Sequence, residues 1–208
     1  MAIPLYNKRK LEKLFHRKDK ETNLQNYNKI RSEMKTGDLL FFSGDHWLSS
    51  LIRWRSRSAW SHVGVVIRIE EMGRLFLIES VLGFGVRMVP MSNVFEDYIG
   101  NKKPYIGRVA WARWHSVICE DEEKLRKIKE FCLDNLTKQY DNWEYFRIAW
   151  RTLLGSKELF HDEKFTCSEL IWEAYKYAGI ELPKERGYFI SPGAFWRQND
   201  VEMKAVLI

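Results

Sequence analysis

The stretch FTCSELIWEAY, residues 165–175, predicts a helix that begins with a cysteine in its first turn. Thr166 is a suitable N-cap residue, and Glu169 follows three positions later, where its carboxylate can bind the Thr166 N–H in a capping box. Apolar residues recur at helical spacing along the stretch, and Gly179 indicates where the helix ends. In this register Cys167 occupies the first helical position.

The position of Cys167 supports two interpretations. Unpaired backbone N–H groups and the positive end of the helix dipole meet at a helix start and favour an anion there. A thiol in that environment loses its proton more readily, and the thiolate is the nucleophilic form. The same residue also fits a buried structural cysteine, because a free cysteine packs as a small hydrophobe. Cys167 alone does not decide between a nucleophile and a core residue.

A predicted β-hairpin far upstream supplies the chemical partners that a nucleophilic cysteine needs. Residues 60–80 form two short apolar and β-branched runs, joined by a turn at 70–74. His62 lies near the start of the first run, and Glu79 lies inside the second. A thiolate needs a nearby base, and the base needs a third group that orients it. Cys167, His62 and Glu79 are of those three chemical types.

Regular pairing of this hairpin does not by itself bring His62 and Glu79 together. A two-residue turn at Met72–Gly73 places Glu79 on the same sheet face as His62, but further along the ladder. A three-residue loop turns the carboxylate to the opposite face. We therefore expect that a contact between the two side chains needs a β-bulge, for which Gly64 and Gly73 are candidates.

Other assignments for the third group stay open at this point. Glu79 could be an edge-exposed carboxylate with no role in the site. In that case the orienting group would come from the segment around the first predicted strand, where Asp38, Asp45 and His46 are available.

Several short segments, taken in order, resemble the YiiX-like family, the circularly permuted branch of the NlpC-type papain-like cysteine hydrolases. They are SHVGVV at 61–66, LIES at 77–80 and TCSEL at 166–170, with TGDLLFF at 36–42 and KQYD at 138–141 beside them. The order histidine, glutamate, cysteine is what the permuted branch implies, since unpermuted relatives place the cysteine first. The first thirty-odd residues are not covered by the resemblance.

The resemblance implies an α+β, permuted papain-like fold in which an antiparallel sheet packs against a helix with the nucleophilic cysteine at its N-terminus. It implies a catalytic triad of Cys167, His62 and Glu79. It also implies that Tyr140 lines the site, where the phenol could donate to an oxyanion; a core tyrosine is an equal alternative. Two further residues, Ser168 and Trp60, complete our set of candidate oxyanion or substrate-binding residues.

These features favour a cysteine hydrolase that cleaves amide or peptide bonds through a thioester intermediate. The resemblance implies cell-wall peptides as the first substrate class to test. Two alternatives remain. A lipid-directed acyltransferase or thioesterase would use the same thiol chemistry on an acyl-lipid substrate, and a binding module would keep the fold without catalysis. We predict no cofactor for any of them.

Composition and charge narrow the class of protein further. The chain has 208 residues, 45% of them hydrophobic, which suits one ordinary domain with its own core. A net charge of +6 permits attraction to anionic surfaces without choosing among them, and no motif specific for nucleic acid accompanies it. Three sparse cysteines argue against a disulfide framework and fit a reducing compartment. The spacing of cysteines and histidines does not match a zinc site, so we predict no metal.

The N-terminal segment, residues 1–34, is basic and is predicted to be helical or partly disordered, ahead of a single domain over 35–208. Leu11, Leu14 and Phe15 recur at helical spacing among lysines and arginines. Such a helix could make peripheral contact with a membrane surface, or pack its narrow apolar face on the domain. Since we find neither a signal peptide nor a transmembrane run, we expect a cytoplasmic protein. The sequence does not determine the oligomeric state.

The remaining elements follow from periodicity and turn signals. We predict strands at 37–42, 83–89 and 105–114, a C-terminal edge strand at 201–208, and helices at 45–54, 92–98, 121–136 and 191–196. The basic run Arg53–Arg57 is interpreted as a surface segment beside the substrate groove. Cys132 falls on the apolar face of its predicted helix and is expected in the core. Cys119 could lie either in the core or in a partly exposed loop.

Overall fold

The computed structural model describes residues 27–114, 121–139, 166–180 and 190–207. Its strands are β1 (Leu39–Gly44), β2 (His62–Ile69), β3 (Arg74–Val81), β4 (Gly85–Pro90), β5 (Gly107–Trp114) and β6 (Val201–Val206). The helices that matter here are α1 (Trp47–Ser56), α2 (Asn93–Glu96), α3 (Glu122–Asp134), α4 (Cys167–Tyr177) and α5 (Pro192–Trp196). Each lies where the sequence predicted an element of that type.

All six strands join one antiparallel sheet in the order β4-β3-β2-β1-β5-β6. β1 lies near the middle, and all six of its residues are buried, because strands flank it on both sides and other elements cover both faces. β6 occupies an edge, as predicted for the C-terminal strand. A sheet packed against helices confirms the α+β fold class.

Alternate residues of the strands point into two separate hydrophobic clusters. On one side, which we call the helix face, residues such as Phe41, Val63 and Val65 pack against α3, α4 and α5. On the other side, the second face, Leu40 and Phe42 pack with residues from before β1 and from α2. The sheet is therefore the middle layer of the domain, and each side chain of a strand belongs to one face or the other.

Helix α4 has the ends that its sequence predicts. The Thr166 hydroxyl accepts from the Glu169 N–H at 3.4 Å, and the Glu169 carboxylate accepts from the Thr166 N–H at 3.0 Å, which completes the capping box. At the other end Gly179 adopts a φ of 77°, and the Ile180 N–H donates to the Tyr175 carbonyl at 2.9 Å. This is a Schellman arrangement, which favours glycine because it requires the left-handed region.

The β2–β3 hairpin closes through a longer turn than the sequence suggested. Val65 pairs with Ile78 and Ile69 pairs with Arg74, so four residues lie between the strands. Three of them form a 3-10 turn over Glu70–Met72, and the fourth is a glycine in the left-handed region. The pairing of β2 with β3 is regular over its five pairs, from Val65–Ile78 to Ile69–Arg74, and Gly64 pairs in regular register with Leu40 of β1. The expectation of a β-bulge in this hairpin is therefore wrong.

A buried ion pair holds the start of β1 against β5. The Asp38 carboxylate accepts from the Arg113 guanidinium at 2.7 and 2.8 Å, from the Trp111 indole at 2.8 Å and from the Lys35 backbone N–H at 2.8 Å. Both oxygens are thus engaged in contacts that stabilise the fold. Asp38, an alternative orienting group for a catalytic histidine, has a structural role instead.

Some expectations concern residues outside the described ranges. They are the amphipathic helix around Leu11–Phe15, the environment of Cys119 and the position of Tyr140. Among the helices that the structure does describe, none combines the length and the apolar character needed to cross a bilayer.

The capping box predicts the effect of substitutions at Thr166. Thr166→Ala removes the side-chain acceptor at the start of α4 and should lower the free energy of unfolding by about 1 kcal/mol. Thr166→Ser keeps the hydroxyl and should cost much less. Urea unfolding followed by circular dichroism measures both values. A serine variant that loses as much stability as the alanine variant would show that the hydroxyl contact contributes nothing.

Candidate active site

Cys167 is the first residue of α4, as its sequence register predicts, and only 3% of its surface is exposed. The backbone N–H groups of Cys167 and Ser168 lie in the first helical turn, where no earlier carbonyl is available to them. Neither N–H has a hydrogen-bond partner among the described residues. The sulfur therefore lies beside two unpaired donors and the positive end of a helix dipole.

His62 reaches this thiol from the end of the sheet. It is the first residue of β2, and its ring packs on Phe42 at a centroid distance of 5.2 Å, on the second face. Helix α4 packs on the helix face instead. The imidazole nevertheless interacts with Cys167. The two side chains can approach each other because His62 is the first residue of β2 and Cys167 is the first residue of α4. The two layers therefore come together at the end of β2.

Glu79 reaches His62 across a glycine. Continuing the β2–β3 register by one pair places Glu79 opposite Gly64, which is two residues beyond His62 on the same face. A Cβ added to Gly64 would lie 3.2 Å from the Cβ of Glu79 and 2.6 Å from Leu77 Cδ1. Because no side chain stands there, the carboxylate leans diagonally along the ladder. Its Oε2 lies 2.7 Å from His62 Nε2.

His62 is therefore held between a carboxylate and a thiol. Burial disfavours the charged imidazole, but the interaction with Cys167 and the contact with Glu79 outweigh it and raise the pKa of His62 from 6.5 to about 10. Nε2 is engaged by Glu79, which leaves Nδ1 as the nitrogen for the thiol. The side chain of His62 is 17% exposed to solvent, whereas that of Glu79 is fully buried.

The buried Glu79 carboxylate has donors on both oxygens. Oε1 accepts from Arg87 Nε at 3.1 Å and from Arg87 Nη2 at 2.7 Å, and Oε2 accepts from the Tyr98 hydroxyl at 2.8 Å as well as from His62. Burial alone would raise the pKa of Glu79, but His62 and Arg87 outweigh that effect and lower it. Glu79 is consequently a fixed negative charge at neutral pH.

Aromatic rings enclose this charge cluster. The Arg87 guanidinium lies 4.7 Å from the ring centre of Tyr98 and 5.2 Å from that of Phe84. Tyr98 in turn meets Tyr105 edge-on at 5.0 Å, and Tyr105 meets Phe42 in the same way at 5.0 Å. The rings restrict the rotamers of Arg87 and Tyr98, so both donors stay aimed at the carboxylate.

The other candidates occupy different environments. Trp60 is fully buried in the core, 4.9 Å from the ring of Trp196 and 5.9 Å from that of Phe41. No part of Trp60 is exposed to a substrate, because it packs inside the helix face. The Ser168 hydroxyl donates to the Ile190 carbonyl at 2.6 Å, so its side chain is engaged in holding α4 to a later segment. Its backbone N–H remains available.

The alternative groups do not enter the site as it is described. Asp45 and His46 are exposed at the start of α1. Cys132 is buried in α3 as predicted, and burial raises the pKa of its thiol to about 12. Tyr140 lies outside the described residues, so its candidacy continues to depend on the family resemblance.

Arg87 and Tyr98 are the members of the site that sequence reasoning did not find. A signal existed for Arg87, since it is the charged residue of a predicted strand and pairs directly with Glu79 in the sheet. Recognising it would have required the β3–β4 register, which the Gly-rich turn at 83–85 leaves open. Tyr98 follows α2, and the local sequence contains nothing that directs its hydroxyl to Glu79.

Two comparisons with known proteins relate this geometry to a family. A family model described as permuted papain-like amidase enzyme, YaeF/YiiX, C92 family, matches residues 33–189. The fold is similar to a crystal structure described as metalloprotein yiiX from Escherichia coli O157:H7, with a TM-score of 0.61 and 18% identity, over 82% of this chain and 96% of that one. No curated protein matches the sequence significantly.

The electrostatic contact between His62 and Cys167 predicts a shift in an imidazole titration. Cys167→Ala removes the two strongest influences that raise the pKa of His62, so NMR of the imidazole C–H protons should show its midpoint moving down from about 10. In the unaltered protein, protonated His62 stabilises the fold fully below pH 6.5, and this contribution is lost as the pH rises through about 10.

Cys132→Ala is the matched control, because it removes a buried thiol that has no contact with the site, and it should leave the titration of His62 unchanged. An identical midpoint in the Cys167→Ala variant would show that thiol and imidazole do not interact.

The glycine opposite Glu79 predicts a second effect. Gly64→Ala places a Cβ 3.1 Å from the Ile78 carbonyl and 3.2 Å from Glu79 Cβ, so β3 must shift and the carboxylate loses its alignment with His62. We expect the alkylation of Cys167 by iodoacetamide at neutral pH to slow by about tenfold per folded molecule. Val65→Ala, on the opposite face of β2, should lower stability by cavity formation without slowing alkylation. Equal rates in both variants would contradict the role of Gly64.

Proposed function

Since the chain belongs to the permuted papain-like amidases of the YaeF/YiiX type, which are cysteine hydrolases, we propose that it cleaves an amide or peptide bond through a thioester on Cys167. One arrangement carries the proposal: the imidazole that binds the Glu79 carboxylate at 2.7 Å is also close enough to the Cys167 thiol for that thiol to raise its pKa. A base that is oriented by a third group and placed beside a thiol is the arrangement that activates a nucleophile.

The first half of the reaction forms the thioester. His62 holds the proton at neutral pH, since its pKa is raised to about 10, and the sulfur beside it is then the attacking group. As sulfur bonds to the carbonyl carbon and the C–N bond breaks, His62 gives its proton to the leaving amine. Glu79 keeps the imidazole oriented and balances its charge throughout.

The second half returns the enzyme to its starting state. Water attacks the thioester carbon while His62 accepts a proton from it, the C–S bond breaks, and the carboxylic acid leaves. In both halves negative charge develops on the carbonyl oxygen. The unpaired N–H groups of Cys167 and Ser168 at the helix start are suited to bind that oxygen, and Tyr140 remains a candidate donor through the family resemblance.

The described residues around His62 do not fit a resident metal ion. The related yiiX structure is described as a metalloprotein. Here Glu79 uses both oxygens for Arg87, Tyr98 and His62. Over the described ranges, no group of three or more histidine, cysteine, aspartate or glutamate side chains is arranged to hold a metal. We therefore assign every proton transfer to His62 and no step to a metal.

Cell-wall peptides are the substrate class that we propose first, on the basis of the family resemblance alone. The thioester on Cys167 can also react with an acceptor other than water. An acyl group taken from a lipid would form the same thioester. We accordingly keep acyl-lipid transfer or hydrolysis as the second candidate, to be separated by experiment.

The proposal is tested by thiol labelling followed by substrate assays. An electrophilic probe should label Cys167, and the initial rate should fall by about a hundredfold or more in His62→Ala and substantially in Glu79→Gln. Cys132→Ala is the control and should behave like the unaltered protein. Incubation with wall peptides and with acyl-lipid micelles, followed by mass spectrometry, then identifies the bond that is cleaved.

Each outcome has a definite meaning. Peptide cleavage that disappears in Cys167→Ala supports the amidase assignment, whereas release or transfer of an acyl chain that disappears in the same variant moves the substrate class to lipids. Peptide cleavage that survives Cys167→Ala would overturn the mechanism. Labelling of Cys167 that is unaffected by His62→Ala would favour a binding module over an enzyme of this design.

A further inference from the structure

Helix α1 lies beside the catalytic end of the sheet. It joins the end of β1 at Gly44 to the start of β2 at His62, so the residues that flank it lie at the edge where the imidazole meets the thiol. The Arg53 guanidinium anchors it there, donating to the Gly44 carbonyl at 2.6 Å and to the Ser43 hydroxyl at 2.9 Å. The orientation of α1 relative to the site is thus set by direct contacts.

The outer side of α1 carries two exposed indoles. Trp47 and Trp54 are seven residues apart, which is close to two helical turns, so both point in nearly the same direction about 10 Å apart along the helix axis. Their exposed fractions are 70% and 68%, whereas Ile52, on the opposite side of the helix, is 7% exposed. Two exposed indoles on one side of a helix form an apolar patch, and such patches mark interaction sites.

Two arginines flank the indoles. Arg55 follows Trp54 directly, and Arg57 closes the helix with a φ of 49°. Both are exposed, and neither guanidinium has a hydrogen bond or ion pair among the described residues. From His46 to Trp60 the chain contains no acidic residue. The exposed Asp45 lies just before this stretch and offsets only part of its positive charge. The α1 face, which we define as Trp47, Trp54, Arg55 and Arg57, therefore combines aromatic surface with a net positive charge.

We infer that the α1 face docks the protein on an anionic lipid surface. Indole side chains favour the headgroup level of a bilayer, where the ring is partly desolvated and the N–H stays hydrated. Arginines beside them gain from the negative potential of anionic lipids. A neutral partner would leave the two arginines without a counter-charge. Docking in this orientation brings the catalytic end of the sheet close to the membrane surface, so substrates there become accessible.

The inference does not depend on the proposed chemistry, because binding can be measured without turnover. The full-length protein is mixed with phosphatidylcholine vesicles, with and without phosphatidylglycerol, and the bound fraction is measured by sedimentation. We expect binding to the anionic vesicles, with weaker binding as salt is raised. Cys167→Ala should bind as strongly as the unaltered protein, so a failure of the enzyme hypothesis leaves this result intact.

Variants of the α1 face locate the contact. The double substitution Trp47→Ala and Trp54→Ala should weaken partitioning by about tenfold or more through lost apolar burial. Arg57→Asn, which tolerates the left-handed backbone, should weaken it by about fivefold. The matched controls are Lys102→Asn, at another exposed basic residue with positive φ, and Tyr177→Ala, at another exposed aromatic residue. Both should leave partitioning unchanged.

Three results would overturn the inference. The first is equal binding to neutral and anionic vesicles, or none to either. The second is anionic binding that persists undiminished in the α1 variants, which would place the contact elsewhere in the chain. The third is self-association in solution that disappears in the double tryptophan variant, since the α1 face would then be the interface with a second copy of the chain.

Discussion

The site depends on one constraint, which is that a carboxylate with no solvent exposure must remain charged. Removing Glu79 from water costs several kcal/mol, and only close donors offset that cost. Arg87, Tyr98 and His62 supply four hydrogen bonds to its two oxygens. The imidazole is therefore more than a neighbour of the carboxylate: it is one of the groups that make the buried charge tolerable, and its orientation follows from that.

This requirement explains several features around the site that have no direct chemical role. The absence of a side chain at Gly64 opens the diagonal along which Glu79 reaches His62. The pairing of β3 with β4 sets Arg87 directly beside the carboxylate. Rings on either side hold the guanidinium and the phenol in place. The strand register, the glycine and the aromatic packing thus all support the hydrogen bonds of the Glu79 carboxylate. A change in any of them would alter the orientation of the His62 imidazole.

The thiol enters from a different layer, and this determines where the chemistry can take place. Helix α4 packs on the helix face, whereas His62 and Glu79 lie on the second face. A contact between the layers is possible only at the end of the sheet, where strand and helix both begin. The capping box, the unpaired N–H groups and the helix dipole converge on that point as well. The positioning of α1 beside the same edge links the catalytic end of the domain to its exposed aromatic and basic surface.

Much of this could be predicted from the sequence, because the signals are local. Helix α4 begins and ends where Thr166 and Gly179 indicate, the strands follow from β-branched runs, and the order of the motifs identified the family. The sequence also indicated His62 and Glu79 as partners of Cys167 on grounds of chemical type.

The strand register and the contacts around the site could not be predicted, because they depend on pairing between distant segments. A 3-10 turn, invisible to turn rules for short hairpins, set the register that brings Glu79 to His62. Likewise, only tertiary packing buries Trp60 and pairs Asp38 with Arg113. It also brings Arg87 and Tyr98 to Glu79. Each of these contacts joins residues that are far apart in the chain, and the whole sheet, not the local sequence, sets the distance between them.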